Sequence, residues 1–246
     1  MLFDIHSHII PGVDDGSSSL SETVRLLEMM REQKIDAVIA TPHFYPQNDN
    51  LEDFFLRVDS AYNAVRRISE EHQLPDVYLG CEMLYFDGIG SSTSLSELCL
   101  NGSDVLLLEL TDQCIGPNLF RDLKDIKENL KITPIIAHVE RYCMAKNYRK
   151  LIKFLKKEKI AVQINASSVL TPSLYRIIKR LLRSGICCVI ATDAHSVEYR
   201  PPLLHKALNR IGIEYGNDCR TQLIKNAEYF YDRIVVNGGV NSDDEE

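Results

Sequence analysis

Short apolar runs alternate with amphipathic stretches along nearly the whole chain, and this alternation constrains the fold more than any other feature. The runs are 2–5, 37–40, 77–79, 105–108, 134–137, 161–164 and 187–191. Several are rich in β-branched residues, which suits strands buried on both faces. Between them, helical periodicity predicts helices over 20–33, 51–72, 119–130, 148–158 and 174–184, the last closed by Gly185. Further helices are expected over 201–210 and 217–233. Strands alternating with helices imply a parallel sheet. Seven such units in 246 residues point to an α/β barrel more than to an open doubly wound sheet. Residues 1–236 read as one domain and 237–246 (NGGVNSDDEE) as a flexible acidic tail. The span 86–96, rich in Gly, Ser and Thr, reads as a surface loop.

Other features narrow the function classes. No run approaches the ~18 apolar residues of a membrane helix. The opening MLFDIHSHII carries Asp4 and two histidines, so it reads as a first strand and not as a signal peptide, and the cytoplasm is the expected location. A net charge of −7 disfavours nonspecific nucleic-acid binding. Neither GxGxxG nor GxxxxGK[ST] occurs, so nothing points to a nucleotide fold. The seven cysteines include no CxxC, which fits a reduced compartment without a zinc finger or disulfide framework. Cys187 and Cys188 read as small core residues.

The chemistry shows in what ends each strand. His6 and His8, His43, Glu82, Glu109, His138, and Asp193 with His195 follow six of the seven runs; Asn165 follows the other. In barrels of parallel strands the C-terminal ends converge on one face, where active sites sit. Residues two apart on a strand share a face, so His6 and His8 can grip one cation, and Asp193 and His195 repeat the spacing. Asp14 and Asp15 add carboxylates. Imidazole and carboxylate without thiolate suit Mn, Fe or Zn better than Ca or Mg. About nine candidates exceed what one ion needs, so two or three cations are expected, with Glu82 placed to bridge.

Each residue has a plainer explanation. A lone His-x-His is a weak signal, Glu109 fits a buried structural carboxylate, His43 a loop cap, and Asp14-Asp15-Gly16 a turn. Their joint occurrence at strand ends favours a cation, because unpaired buried carboxylates and imidazoles are costly. Arg141 and Arg200 follow two of these strands and offer forks for phosphate oxygens.

The segment Asp4-Ile5-His6-Ser7-His8-Ile9-Ile10-Pro11-Gly12-Val13-Asp14-Asp15-Gly16 closely resembles the opening of the bacterial tyrosine-protein phosphatases of the polymerase-and-histidinol-phosphatase (PHP) superfamily, which accompany capsule and exopolysaccharide synthesis systems. Ala40-Thr41-Pro42-His43, Gly80-Cys81-Glu82, Leu107-Leu108-Glu109, Ile136 to Tyr142 (IAHVERY), Ala191 to His195 (ATDAH) and Arg200-Pro201-Pro202 extend the resemblance in order over nearly the whole chain. It implies a distorted (β/α)7 barrel, TIM-barrel-like, with a trinuclear site commonly loaded with manganese. It implies metal ligands at His6, His8, Asp15, His43, Glu82, Glu109, His138, Asp193 and His195, with Asp15 rather than Asp14 at the ligand position. Arg141 and Arg200 match phosphate-binding arginines. The implied substrate is phosphotyrosine on the tail of a capsule-regulating tyrosine kinase. Phe44-Tyr45-Pro46-Gln47 and Leu203-Leu204 depart from the pattern of many members, so the rim differs.

The resulting expectation is attack by a metal-bound hydroxide on phosphorus, with Arg141 and Arg200 bracing the phosphoryl oxygens and Asp193 or His195 available to assist the leaving group. Three rivals stand beside it. One is a small-molecule phosphomonoesterase such as a histidinol-phosphate phosphatase. Another is a cysteine phosphatase built on Cys143-x5-Arg149, whose intervening residues contain no glycine. The third is a nonenzymatic scaffold, against which stands the intact set of nine ligands.

Overall fold

The computed structural model describes residues 1–238. In chain order the elements are β1 (Phe3–Ser7), α1 (Leu20–Glu32), β2 (Ala37–Ala40), β3 (His43–Phe44), α2 (Leu51–His72), β4 (Asp76–Leu79), β5 (Glu82–Leu84) and β6 (Val105–Glu109). There follow α3 (Pro117–Glu128), β7 (Thr133–Ile136), α4 (Tyr148–Glu158), β8 (Ala161–Asn165), α5 (Ala166–Val169), α6 (Tyr175–Leu182), β9 (Cys188–Ala191), α7 (Leu204–Tyr215) and α8 (Asn217–Tyr231). Local chemistry sets the helix ends. Ser19 and Asn50 cap α1 and α2 by accepting from the backbone N–H groups of Glu22 and Asp53. Gly185, at φ 76, supplies the left-handed turn after α6.

All strand pairing is parallel, as the alternation predicts. Hydrogen bonding divides the strands into two sheets, β1-β2-β4 and β3-β5-β6-β7-β8-β9. Breaks at Thr41-Pro42 and Gly80-Cys81 separate them. Proline has no N–H for a ladder, and the break places His43 and Glu82 on short strands of their own, directly paired. The first and last strands meet at one isolated bridge, Ser7 to Ala194. There the Asp193 N–H donates to the His6 carbonyl (2.9 Å), and the His8 N–H donates to that of Ala194 (2.8 Å).

The two faces of the strands pack differently. Phe3, Ile5, Ile39, Leu107, Ile135, Val189 and Ala191 form one cluster, closed at its base by Phe230 and Ile234. Alternate residues such as Val38, Leu106, Leu108, Val162 and Ile190 pack with the helices in the larger core. Extending the inner alternation by one step converts apolar filling into chemistry: Val105-Leu107 leads to Glu109, Val189-Ala191 to Asp193, and Ala161 to Gln163 and Asn165. In β1 the register shifts between Asp4 and Ser7. A bulge of this kind re-aims side chains, and here it turns His6 toward the same interior.

Three expectations are corrected. The span 86–96 is a surface loop only in part: Asp87, Ser91, Thr93 and Ser96 are exposed, but Ile89, Gly90 and Leu95 are buried in short 3-10 turns. Asp122 of α3 fixes this span by accepting from the Gly88 N–H and the Tyr85 hydroxyl. Cys188 is buried but Cys187 is exposed, because Cys187 precedes β9, which begins at Cys188 and is buried throughout. The helix expected over 174–184 begins as a 3-10 turn at Pro172–Leu174 and is regular only from Tyr175. Of the expected acidic tail, residues 239–246 lie outside the described residues. No helix among the described residues is long and apolar enough to cross a membrane.

Candidate metal centre

Glu82 is the hub of the site. Its Oε1 lies 2.7 Å from His138 Nε2, and its Oε2 lies 3.2 Å from both His6 Nε2 and His8 Nε2 and 3.3 Å from His43 Nδ1. The His6 and His8 Nε2 atoms are 3.1 Å apart, brought together where β1 shifts register and ends at Ser7. Asp193 Oδ1 lies 3.5 Å from His6 Nε2 and 3.6 Å from His8 Nε2. Asp15 Oδ1 is 3.4 Å from the Nε2 atoms of both His43 and His195, and Glu109 Oε1 is 3.4 Å from His138 Nε2. All nine predicted ligands are therefore brought together. Asp193 and His195 lie past the end of β9 at Ala191, and Asp193 takes φ 51. His138 also has positive φ (28). Such backbone outliers in non-glycine residues concentrate at functional sites.

A surrounding layer fixes which nitrogen of each ring faces inward. His8 Nδ1–H donates to Asp14 Oδ2 (2.7 Å) and His6 Nδ1–H to Gln163 Oε1 (3.2 Å). His195 Nδ1–H donates to the Asp193 carbonyl (3.0 Å). In each case the Nε2 lone pair is left for an electrophile. Gln163 Oε1 also accepts from the His138 N–H (2.6 Å), and its amide donates to Asn165 Oδ1 (2.7 Å). Asn165 donates in turn to Asp193 Oδ2 (2.6 Å). Arg141 and Arg200 reach the same oxygen at 2.6 and 2.5 Å. Asp193 thus turns one oxygen to the histidines and the other to two guanidinium groups.

The electrostatics are those of a cation trap. Burial pushes the Glu82 carboxyl up, but the His6 charge and the bonds from His138, His6 and His8 outweigh it and hold the group well below its ordinary range. Burial likewise opposes ionisation of Asp193, yet His6, His8 and Arg141 hold it low. Burial of Glu109, reinforced by Glu82, pushes its carboxyl up to about 7. Burial disfavours charge on His8, but Asp14 and Glu82 raise it to about 10, whereas burial together with the His8 and Arg200 charges lowers His195 to about 4.

The donor set fits divalent cations. Among the described residues, His43 Nδ1 and His195 Nε2 are buried with no hydrogen-bond partner, both directed into the cluster. Three groups hold ligand atoms within 4.8 Å of one another: His8-Asp15-His43-His195, His6-His8-Asp193 and His43-Glu82-Glu109. Beside them opens a cleft of about 450 Å3, lined by Asp15, His43, Tyr45 and Arg57 among others. Tyr45 stacks on His43 with ring centroids 5.0 Å apart.

Sequence reasoning offered Asp14 only as an added carboxylate or turn residue, and assigned no role to Gln163, to Asp4 or to Tyr142, whose hydroxyl lies 3.3 Å from His138 Nδ1. Gln163 left a signal, a polar residue in step with Asn165 inside an apolar strand. Asp4 left one too: buried in β1, it accepts from the Thr192 N–H (2.9 Å) and hydroxyl, tying the first strand to the turn that presents Asp193. Cys143 and Arg149 form no phosphate cradle, because Arg149 lines a groove on the outer wall between α4 and α6.

Gly16 has a packing role that can be tested. A Cβ there would lie 2.1 Å from the His8 carbonyl and 2.5 Å from His8 Cβ. Gly16→Ala is expected to displace His8 and weaken metal binding by about 10- to 100-fold, the range for disturbed outer-shell support. Metal titration with circular dichroism as a fold control would measure it; unchanged affinity would refute the packing argument.

The family described as capsular polysaccharide synthesis, CpsB/CapC, matches residues 2–231. The tyrosine-protein phosphatase CpsB of Streptococcus pneumoniae is 30% identical over 231 residues, 87% of this chain and 91% of its own length. CpsB of Streptococcus agalactiae is 29% identical over 238 residues, 92% of this chain and 97% of its own length. A crystal structure from work on YwqE of Bacillus subtilis and CpsB of Streptococcus pneumoniae, described as metal-dependent tyrosine phosphatases, shares the fold. Its TM-score is 0.81 at 24% identity, covering 95% of this chain and 94% of the other.

Proposed function

The chain belongs to the capsular polysaccharide synthesis family CpsB/CapC, and we propose on that footing that it is a metal-dependent protein-tyrosine phosphatase, a phosphoric monoester hydrolase. The observation that carries the reading is the convergence of five histidines and four carboxylates on one mouth, with two buried ring nitrogens left unpartnered. The proposed ligands are His6, His8, Asp15, His43, Glu82, Glu109, His138, Asp193 and His195, holding two or three divalent cations, manganese first among them. The proposed substrate is phosphotyrosine on a capsule-regulating tyrosine kinase in the cytoplasm.

Bound cations would supply charge neutralisation at the phosphoryl oxygens and a water-derived nucleophile at neutral pH. The protein's own groups do the rest. Arg141 and Arg200, held side by side on Asp193 Oδ2, present donors for equatorial phosphoryl oxygens as charge shifts toward the leaving group. Asn165 and Gln163 keep Asp193 and His6 in register with them. His195 is held neutral and Asp193 ionised, so both are suited to ligation more than to proton donation. A tyrosyl leaving group, with a phenol pKa of about 10, needs less protonation than an alkoxide.

The test is phosphate release from a phosphotyrosine peptide by metal-stripped protein, with and without Mn2+. Manganese-dependent release that chelation abolishes is expected, and Cys143→Ser should keep it. Release that ignores chelators and stops on thiol alkylation would overturn the reading. Preference for histidinol phosphate in side-by-side turnover would move the assignment to a small-molecule phosphomonoesterase.

A further inference from the structure

Charge is segregated along this chain. Between Tyr148 and Ser184 there are ten Lys and Arg and one carboxylate, Glu158. The other residues hold eighteen Lys and Arg against thirty-four Asp and Glu. Folding gathers the cationic stretch on one surface, where α4 and α6 flank an open groove of about 590 Å3. Arg149, Lys153 and Lys156 come from one face of α4, at helical spacing. Arg180 comes from α6 and Arg183 from just beyond its end. All five are exposed. Among the described residues none of them has a carboxylate oxygen within 4.0 Å, because Glu158 pairs with Lys124 and Lys157 instead.

Tyr148, in the groove wall, is only 5% exposed, and its hydroxyl has no hydrogen-bond partner among the described residues. The ring is therefore part of the groove's fixed wall, with its hydroxyl turned away from solvent. Helix α4 starts at the face where β7 ends in His138, a few residues after Arg141.

Shape and composition select the occupant. Charges on both walls of a concave groove surround a chain better than they meet a flat bilayer. The lining offers no exposed aromatic ring on which bases could stack. From Arg149 to Lys156 the helix rises about 10 Å, the span of roughly three extended residues. We propose that the α4–α6 groove is an exosite for an acidic polypeptide segment of the phosphoprotein on which the enzyme acts. The enzymatic half of this statement rests on the phosphatase reading; the binding half does not.

The experiment separates the two. Binding of a fluorescent oligoglutamate peptide lacking phosphotyrosine is measured by anisotropy on the full chain. Arg149→Glu/Lys153→Glu and Arg180→Glu/Arg183→Glu are the variants, with circular dichroism confirming that they fold. Each pair should weaken binding at least about tenfold, and raised ionic strength should weaken binding to the parent. With phosphotyrosine peptides, each pair should raise KM about tenfold for an acidic-flanked substrate. It should leave kcat, and both constants for a neutral-flanked substrate, unchanged. Binding that the variants lose in a protein without phosphotyrosine turnover would uphold the groove while overturning the phosphatase reading. Equal binding by parent and variants would overturn the exosite. So would much tighter peptide binding after removal of residues 239–246, which would make the chain's own acidic end the occupant. Competition by phosphatidylserine vesicles but not by acidic peptide would overturn it in favour of a membrane surface.

Discussion

Glu82→Gln is expected to lose at least about a thousandfold in kcat on a phosphotyrosine peptide, because it removes the one anion shared by four imidazoles. Its two oxygens lie within 3.3 Å of ring nitrogens of His6, His8, His43 and His138. An amide keeps the shape but offers a single weak acceptor and turns N–H groups toward whatever the rings hold. Several kcal/mol of charge stabilisation, at about 1.4 kcal/mol per factor of ten, gives that magnitude. His6→Ala should behave alike. Metal content, measured on the same samples, should fall with activity while far-ultraviolet dichroism stays that of the parent. Glu82→Gln protein that kept both its metal and its rate would show that catalysis happens elsewhere.

Arg141→Ala and Arg200→Ala should each lower kcat/KM about 10^2- to 10^3-fold, the usual loss when one donor to a developing charge is removed. Both guanidinium groups bond Asp193 Oδ2 and both remain partly open to solvent, with side-chain exposures of 42% and 36%. That is the disposition of donors anchored at one end and free at the other. Lysine at either position should not restore the rate, because an ammonium is a point charge without the planar fork. The effects should be less than additive, since either arginine alone still screens Asp193. Single variants with unchanged kcat/KM would remove these residues from phosphate recognition and leave them as counter-charges to Asp193.

Much of this was legible in the sequence. Hydrophobic alternation is a local property, so the strand and helix order could be read from it. The α2 and α4 boundaries, Leu51–His72 and Tyr148–Glu158, were found as expected. The candidate ligands were legible for the same reason: in a parallel arrangement the C-terminal ends of strands share one face, so a residue type recurring at those ends marks a candidate site without any contact being known.

What the sequence could not supply depends on distance in space. The bulge between Asp4 and Ser7 and the breaks at Pro42 and Gly80 decide which way His6, His43 and Glu82 face, and a one-residue change of register reverses a side chain. The assignment of Asp14 to orient His8, and of Gln163 to orient His6, joins residues as far as 157 positions apart. No composition or spacing rule records such a pairing. The groove between α4 and α6 is of the same kind. The sequence held the cationic stretch, but only the placing of α4 and α6 on either side of one groove gathered five of its ten cations on a concave surface without a paired carboxylate among the described residues. Local periodicity therefore determined the elements and the identity of the chemistry. The tertiary structure decided orientation, protonation and the outer surface, because those depend on hydrogen bonds and fields between parts of the chain that its order keeps apart.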